Sequence, residues 1–190
     1  MAKNADAGLK FLQADFDRCF EQARHYDSQS VDIFKFLATF FTVIAGGGIG
    51  LFEFAVEKHV DLTLAIVAGF LIALCFGLGL FGLVVRNRVY FVGCMRYLNE
   101  QRRLFLDMKP LGFRNQSGMY TDAAYPRYFN WLSSQSFLMY AIAALNAALL
   151  SLVLALLGQG GFLAAGLLLL AAQVAGAVLY LRAQERRTGR

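Results

Sequence analysis

Four segments of about twenty apolar residues each constrain this chain more than any other feature of its sequence. They cover residues 33–54, 62–85, 137–157 and 161–181. The last three contain no Asp, Glu, Lys or Arg, and the first contains only Lys35 and Glu53, near its ends. A helix needs roughly 20 apolar residues to cross the hydrocarbon core of a bilayer, and charges near its ends reach the interface. The sequence therefore predicts four membrane-spanning helices.

Composition agrees with a membrane protein. Of 190 residues, 58% are hydrophobic and 16% are charged, whereas soluble proteins carry roughly 25% charged residues. The three cysteines (Cys19, Cys75 and Cys94) are too few and too scattered for a disulfide framework. We expect an all-α fold, an integral membrane four-helix bundle made of two helical hairpins with helical extensions outside the membrane.

The basic residues lie almost entirely on one side of the predicted spans. Residues 55–61 and 158–160 are short connections, so each pair of spans forms a hairpin, and these connections hold only Lys58 of the 18 Lys and Arg residues. Basic residues accumulate on the cytoplasmic side of membrane proteins. The distribution predicts that both termini lie in the cytoplasm.

The same pattern divides the chain into five segments. Residues 1–32 form a cytoplasmic amphipathic helix, 33–85 the first transmembrane hairpin, 86–136 a basic cytoplasmic helix and loop, 137–181 the second hairpin, and 182–190 a basic tail.

The cytoplasmic segments carry opposite charge. Residues 1–32 hold four basic and six acidic side chains, whereas residues 86–128 hold eight basic and three acidic ones. Leu9, Leu12, Phe16 and Phe20 recur at three- and four-residue spacing, which indicates a helix with one apolar face. We expect this helix to pack on a helix that continues the second span to about Met108 and stops before Pro110.

The polar face of that second helix, together with the following loop, is a candidate surface for a cytoplasmic protein partner. Its residues are Arg88, Arg96, Asn99, Arg102, Arg103, Arg114 and Arg127. Reversing the charge of Arg96 and Arg103 is expected to remove function while the fold stays intact.

An aromatic cluster precedes the third span. Tyr125, Tyr128, Phe129 and Trp131 are typical of the belt of aromatic residues at a membrane interface. The alternative is a stacking site for a base or a lipid headgroup beside Arg114 and Arg127, so contact with a nucleic acid or nucleotide stays open.

Inside the predicted spans, two kinds of residue indicate close packing. Asn146 and Gln173 lie deep in the third and fourth spans, where polar groups usually face the bundle and pair. They are expected to bond each other or a symmetry copy, and a pore lining or a relay is the alternative. Small residues recur every four positions and favour close helix contacts; the packing candidates are Gly46, Gly50, Gly69, Gly77 and Ser151. The triple glycine at 46–48 also allows a kink.

The sequence contains no convincing catalytic constellation. The best candidate is the acidic hairpin with Glu53, Glu57, His59 and Asp61, which is either a metal site or a solvated turn. We expect no enzymatic activity, no cofactor and no metal.

The layout, together with the segment "RNRVYFVGCMRYLNEQRRLFL", resembles the small multi-spanning membrane proteins of bacterial anti-phage systems. These include SLATT-type proteins, four-span effectors of cyclic-nucleotide and CRISPR-associated defence, and the membrane component of the Kiwa system. The resemblance implies a homo-oligomer in the inner membrane that either perturbs the membrane on a signal or senses envelope disturbance and relays it to a soluble partner. An accessory or assembly subunit of a larger membrane complex and a small channel are the alternatives.

Overall fold

The computed structural model describes residues 2–109, 112–118 and 120–188, with side chains described from Asp6 onward. Regular structure in these residues consists of four long helices: α1 (Ala2–Lys58), α2 (Thr63–Asp107), α3 (Ser134–Leu156) and α4 (Phe162–Thr188). Each is long and apolar enough to cross a membrane. The structure thus confirms an all-α chain with four candidate membrane spans.

The first helix is longer than the sequence predicted. The amphipathic segment and the first span, expected as two elements, form one uninterrupted helix of 57 residues. No proline occurs before Pro110 and no glycine between Gly8 and Gly46, so nothing in this stretch ends a helix. The helix also continues through Gly46–Gly48. In α2 the helix ends at Asp107, one residue before the predicted end; Pro110, expected to stop it, lies outside the described residues.

The chain divides into two compact units. One, here called the polar unit, comprises Met1–Gln29, Arg86–Asn130 and Leu181–Arg190. The other, here called the apolar unit, comprises Ser30–Val85 and Trp131–Tyr180. Helices α1, α2 and α4 therefore contribute residues to both. Residues 189 and 190 of the predicted basic tail lie outside the described part of the chain, and its preceding residues are helical.

In the apolar unit, neighbouring helices pack through side chains at regular positions. The rings of Phe40 on α1 and Phe76 on α2 meet edge to face with centroids 5.6 Å apart. The α-carbon of Gly77 on α2 lies against the amide of Asn146 on α3. Asn146 in turn bonds Gln173 on α4. Consecutive helices are thus joined in chain order.

In the polar unit, α1 and α2 form an antiparallel pair. The Nδ2 of Asn87 donates to the Oε1 of Gln29 at 3.1 Å, and the Nε2 of Gln101 donates to the Oδ2 of Asp15 at 2.8 Å. Residue numbers rise on α2 as they fall on α1, which fixes the direction. Helix α1 is therefore paired with α2 in this unit, but its apolar face is only partly covered: Leu12 and Phe16 are half-buried, whereas Leu9 and Phe20 are exposed.

Candidate functional site

The first feature of the polar unit is a set of side chains on α2 that hold the irregular segment before α3. The guanidinium of Arg88 donates to the backbone carbonyls of Tyr128 at 3.0 Å and Arg127 at 2.7 Å. Arg88 is 4% exposed. Burial disfavours its charged form and lowers the pKa of the guanidinium. The two carbonyls stabilise the buried cation by accepting its hydrogen bonds.

Asn99, three turns further along α2, also donates to backbone carbonyls of the segment before α3. It is fully buried, and its Nδ2 donates to the carbonyls of Asp122 at 3.0 Å and Tyr125 at 2.7 Å. Backbone carbonyls outside regular structure need such donors when they are removed from water. Asn99 thus fixes the path of this segment.

Arg96 joins this segment to the last helix. Its Nε donates to the carbonyl of Pro126 at 3.0 Å, and its guanidinium forms an ion pair with Glu185 on α4. The same guanidinium lies over the ring of Tyr128, 4.5 Å from the centroid. The backbone N–H of Tyr128 donates to Glu185 at 2.9 Å. Three parts of the polar unit therefore meet at Arg96.

These contacts change the interpretation of the surface that the sequence indicated for a partner. Arg88, Arg96 and Asn99 were expected to face solvent, but the chain's own residues 122–128 cover them. Sequence periodicity could not reveal this cover, because the segment has no regular structure. Their binding of a partner stays a prediction. Charge reversal at Arg96 would place a carboxylate beside Glu185, so we expect it to weaken the contacts of residues 122–128 and α4 as well as any contact with a partner.

The other four predicted residues have free side-chain nitrogens. Within the described residues, the side chains of Arg102, Arg103, Arg114 and Arg127 form no hydrogen bond or ion pair. Arg103, Arg114 and Arg127 are exposed, whereas Arg102 is half-buried. Arg103 borders a polar pocket of about 430 Å³ with the loop residues Asn115 and Asp122. These four arginines remain available to a partner.

Asp15 on α1 makes a second polar contact with α2, which the sequence pattern did not predict. Asp15 accepts hydrogen bonds from the hydroxyl of Tyr97 at 2.7 Å and from Gln101. The bond to the carboxylate raises the pKa of Tyr97, because a phenolate beside Asp15 would be repelled. In the sequence, Asp15 is one of the six acidic side chains of residues 1–32. Positions 94, 98, 101 and 105 of α2 are spaced four, three and four residues apart, as on one face of a coiled-coil helix. This spacing could have indicated that Gln101 lies toward α1.

The cysteines of the polar unit show no sign of activation. Cys19 and Cys94 are free thiols, and burial raises the pKa of each. A thiol is nucleophilic as the thiolate. Both therefore stay protonated near neutral pH.

The aromatic cluster does not form one surface. Tyr128 is 5% exposed and lies under the guanidinium of Arg96. Its assignment to an interfacial belt is therefore wrong, because the ring belongs to the core of the polar unit. Tyr125 and Trp131 keep about half of their surface exposed, and their role at a membrane interface stays a prediction.

In the apolar unit, Asn146 and Gln173 bond each other. The Nδ2 of Asn146 donates to the Oε1 of Gln173 at 2.8 Å, and both side chains are buried. Of the two pairings that the sequence left open, the structure contains the one within a single chain. The Oδ1 of Asn146 has no hydrogen-bond partner among the described residues and lies against Gly77.

We predict that Gln173→Leu lowers the free energy of unfolding by about 1 kcal/mol, because it leaves the fully buried amide of Asn146 without an acceptor. The double variant Asn146→Leu/Gln173→Leu should cost less than the sum of the single variants, since neither polar group remains. Unfolding by sodium dodecyl sulfate in mixed micelles measures both. The exposed Gln159 gives the control Gln159→Leu, which should change nothing; an equal loss there would contradict the role of the pair.

The predicted packing residues fall into two groups. A β-carbon on Gly77 would overlap the side chain of Asn146, and Ser151 lies close enough to α4 that a β-carbon on Gly166 would overlap its Oγ. A β-carbon added at Gly46, Gly50 or Gly69 would have no described atom of a neighbouring helix within 4 Å. Their predicted packing is therefore absent within the described chain. Within the triple glycine at 46–48, Gly48 packs closely, since an added β-carbon would lie 2.5 Å from the ring of Phe70.

The acidic hairpin between α1 and α2 has contacts typical of a turn. Glu57 pairs with Lys58 at 2.8 Å, and Asp61 accepts the backbone N–H of Thr63 at 2.9 Å. This bond lowers the pKa of Asp61. In the part of the chain that the structure describes, no three His, Cys, Asp or Glu side chains are placed to hold a metal ion.

Comparison with known proteins adds no family to this description. The chain matches no protein-family model, no curated protein sequence and no solved structure.

Proposed function

We propose that this chain is a multi-span protein of the bacterial inner membrane that senses or executes anti-phage defence together with a cytoplasmic protein. The observation that carries the proposal is the division of the chain into an apolar and a polar unit that share α1, α2 and α4. A membrane anchor alone needs no second unit built from the same helices. The four candidate spans support the lipid bilayer as the surroundings of the apolar unit.

The one-sided distribution of Lys and Arg supports an orientation with both termini in the cytoplasm. The polar unit would then face soluble proteins. Arg103, Arg114 and Arg127 are exposed there and unpaired among the described residues, which suits a partner with acidic groups.

Two observations favour a homo-oligomeric relay over a channel. Asn146 and Gln173, the polar groups on which a pore lining would depend, bond each other. Gly46, Gly50 and Gly69 are open to close approach by another helix, and small residues are common where transmembrane helices associate. We propose no enzymatic activity and no cofactor.

The test expresses the chain with its native neighbouring genes and challenges the cells with a panel of phages. We expect the wild type to lower the efficiency of plating of at least one phage by tenfold or more relative to a deletion. Arg103→Glu should abolish this protection while the thermal unfolding midpoint stays unchanged, because Arg103 is exposed and makes no bond to a described residue.

Native mass spectrometry of the tagged protein in mild detergent separates the alternatives. A homo-oligomer that carries a soluble protein supports the proposal. A single copy bound to other membrane subunits, without protection against any phage, would replace it with an accessory role in a larger complex.

A further inference from the structure

A groove between α1 and α2 in the polar unit has the dimensions of a binding site. Gln13, Phe16 and Asp17 line it from α1, and Arg102, Phe105 and Leu106 line it from α2. Its volume of about 530 Å³ lies within the range of roughly 300–1,000 Å³ that is usual for ligand sites. Its walls are mainly apolar, and each wall carries one charged group.

Two aromatic rings hold Arg102 in this groove. Its guanidinium lies 5.3 Å from the ring centroid of Phe16 and 5.0 Å from that of Tyr120. Its Nη1 is buried and has no hydrogen-bond partner among the described residues. A buried donor without an acceptor costs about 1–3 kcal/mol, and more when the group is charged. Asp17 lines the opposite wall, yet no ion pair joins it to Arg102 among the described side chains.

The apolar part of the groove extends along α1. Leu9, Phe16 and Phe20 lie seven and four residues apart and therefore share a helix face with the groove. Leu9 is 42% exposed and Phe20 is 39% exposed. Large apolar side chains next to an unpaired cation are typical of a surface that binds another molecule.

We propose that this groove binds a segment of a soluble partner protein that presents a carboxylate beside a large apolar side chain. The carboxylate pairs with Arg102, and the apolar side chain packs against Phe16, Phe105 and Leu106. Backbone N–H groups of the segment donate to Asp17. This rests on the proposed function and names the partner's chemistry.

The mixed charge of the groove favours a protein segment over an anionic lipid surface. A lipid surface would bring negative charge to Asp17 and to the acidic α1 as well as to Arg102. A peptide places one carboxylate at Arg102 and its own donors at Asp17, so both walls are satisfied. The Arg102 contact is also fixed in place, because two rings hold the guanidinium before the partner arrives.

The test uses the full chain in nanodiscs of phosphatidylcholine and a displayed library of 16-residue peptides, with empty nanodiscs removing non-specific binders. We expect the enriched peptides to share an Asp or Glu next to Phe, Leu or Trp. The affinity of a synthetic enriched peptide should fall at least tenfold on Arg102→Gln, and less than threefold on Arg182→Gln, a matched exposed arginine of the polar unit.

A double-mutant cycle then links the peptide to Arg102. Replacing the carboxylate of the peptide with its amide should weaken binding to the wild type tenfold and leave binding to Arg102→Gln unchanged. The thermal unfolding midpoint of each variant shows whether the fold is retained. If Arg102→Gln is unstable, Arg102→Lys replaces it, and this variant should keep part of the affinity because it keeps the positive charge. Unchanged affinity on Arg102→Gln, no peptide enriched over empty nanodiscs, or Arg102-dependent binding to phosphatidylglycerol vesicles instead of peptides would each overturn the proposal.

Failure of this proposal is distinct from failure of the proposed function. If the groove binds no peptide but Arg102→Gln cells still resist phage, the groove has no role and the defence function stands. If the groove binds peptides through Arg102 but the wild type protects against no phage, the groove stands and the defence function falls.

Discussion

Gly77→Ala is expected to lower the free energy of unfolding by about 2 kcal/mol. The added β-carbon would overlap the side chain of Asn146 and lie 2.8 Å from the ring of Phe41. Overpacking of a filled site typically costs about 1–3 kcal/mol. The bond between Asn146 and Gln173 would also be disturbed, because the amide of Asn146 must move away. Unfolding by sodium dodecyl sulfate in mixed micelles, followed by circular dichroism, measures the loss.

Gly79 provides the matched control two residues away on the same helix. A β-carbon there meets no described atom within 4 Å, so Gly79→Ala should leave stability unchanged or raise it by up to ~1 kcal/mol through helix propensity. Equal stability of the two variants would show that α2 and α3 do not approach each other at Gly77.

Arg96→Met is expected to lower the local stability of two segments together, residues 122–128 before α3 and the end of α4. The variant loses the hydrogen bond to Pro126 and the ion pair with Glu185, and the N–H of Tyr128 keeps an acceptor that is no longer held in place. Hydrogen bonds to charged groups contribute about 1.5–3 kcal/mol, and the partial exposure of Glu185 reduces the share of the ion pair. We expect a local loss of about 2 kcal/mol, which corresponds to roughly thirtyfold faster amide exchange.

Hydrogen–deuterium exchange read by mass spectrometry resolves this effect. Peptides that cover residues 122–128 and 181–188 should exchange faster, with the N–H of Tyr128 among the affected amides. Arg103→Met is the control, because Arg103 lies on the same helix without a bond to a described residue. If both variants exchange alike, Arg96 does not join these two segments.

The sequence predicted the helices well because their signals are local. Apolar length sets a span, and Ser133 before α3 accepts the N–H of Ser136, as a helix cap does. The division of α1 into two helices was wrong for an equally local reason. At residue 33 the side-chain pattern changes from amphipathic to apolar. This change determines whether the helix is next to water or lipid, but it does not interrupt the backbone hydrogen bonds of the helix.

The candidate site was less accessible to sequence reasoning. Periodicity placed Arg96 and Asn99 on a face of α2 that was expected to meet solvent. It could not show that backbone carbonyls of an irregular segment would accept their hydrogen bonds, or that Glu185, more than 80 residues away, would pair with Arg96. Carbonyl acceptors are the same for every residue type, so they leave no signal in a sequence.

The number of candidate spans follows from the sequence, and so does the concentration of Lys and Arg outside the two short connections, since both depend on composition along single segments. The tertiary structure alone decided which polar groups are used within the chain and which remain free. Arg88, Arg96 and Arg102 lie on one helix and look equivalent in the sequence. The first two meet carbonyls of residues 126–128, whereas Arg102 lies between aromatic rings that accept no conventional hydrogen bond. The difference depends on where another part of the chain passes, which only the folded arrangement sets.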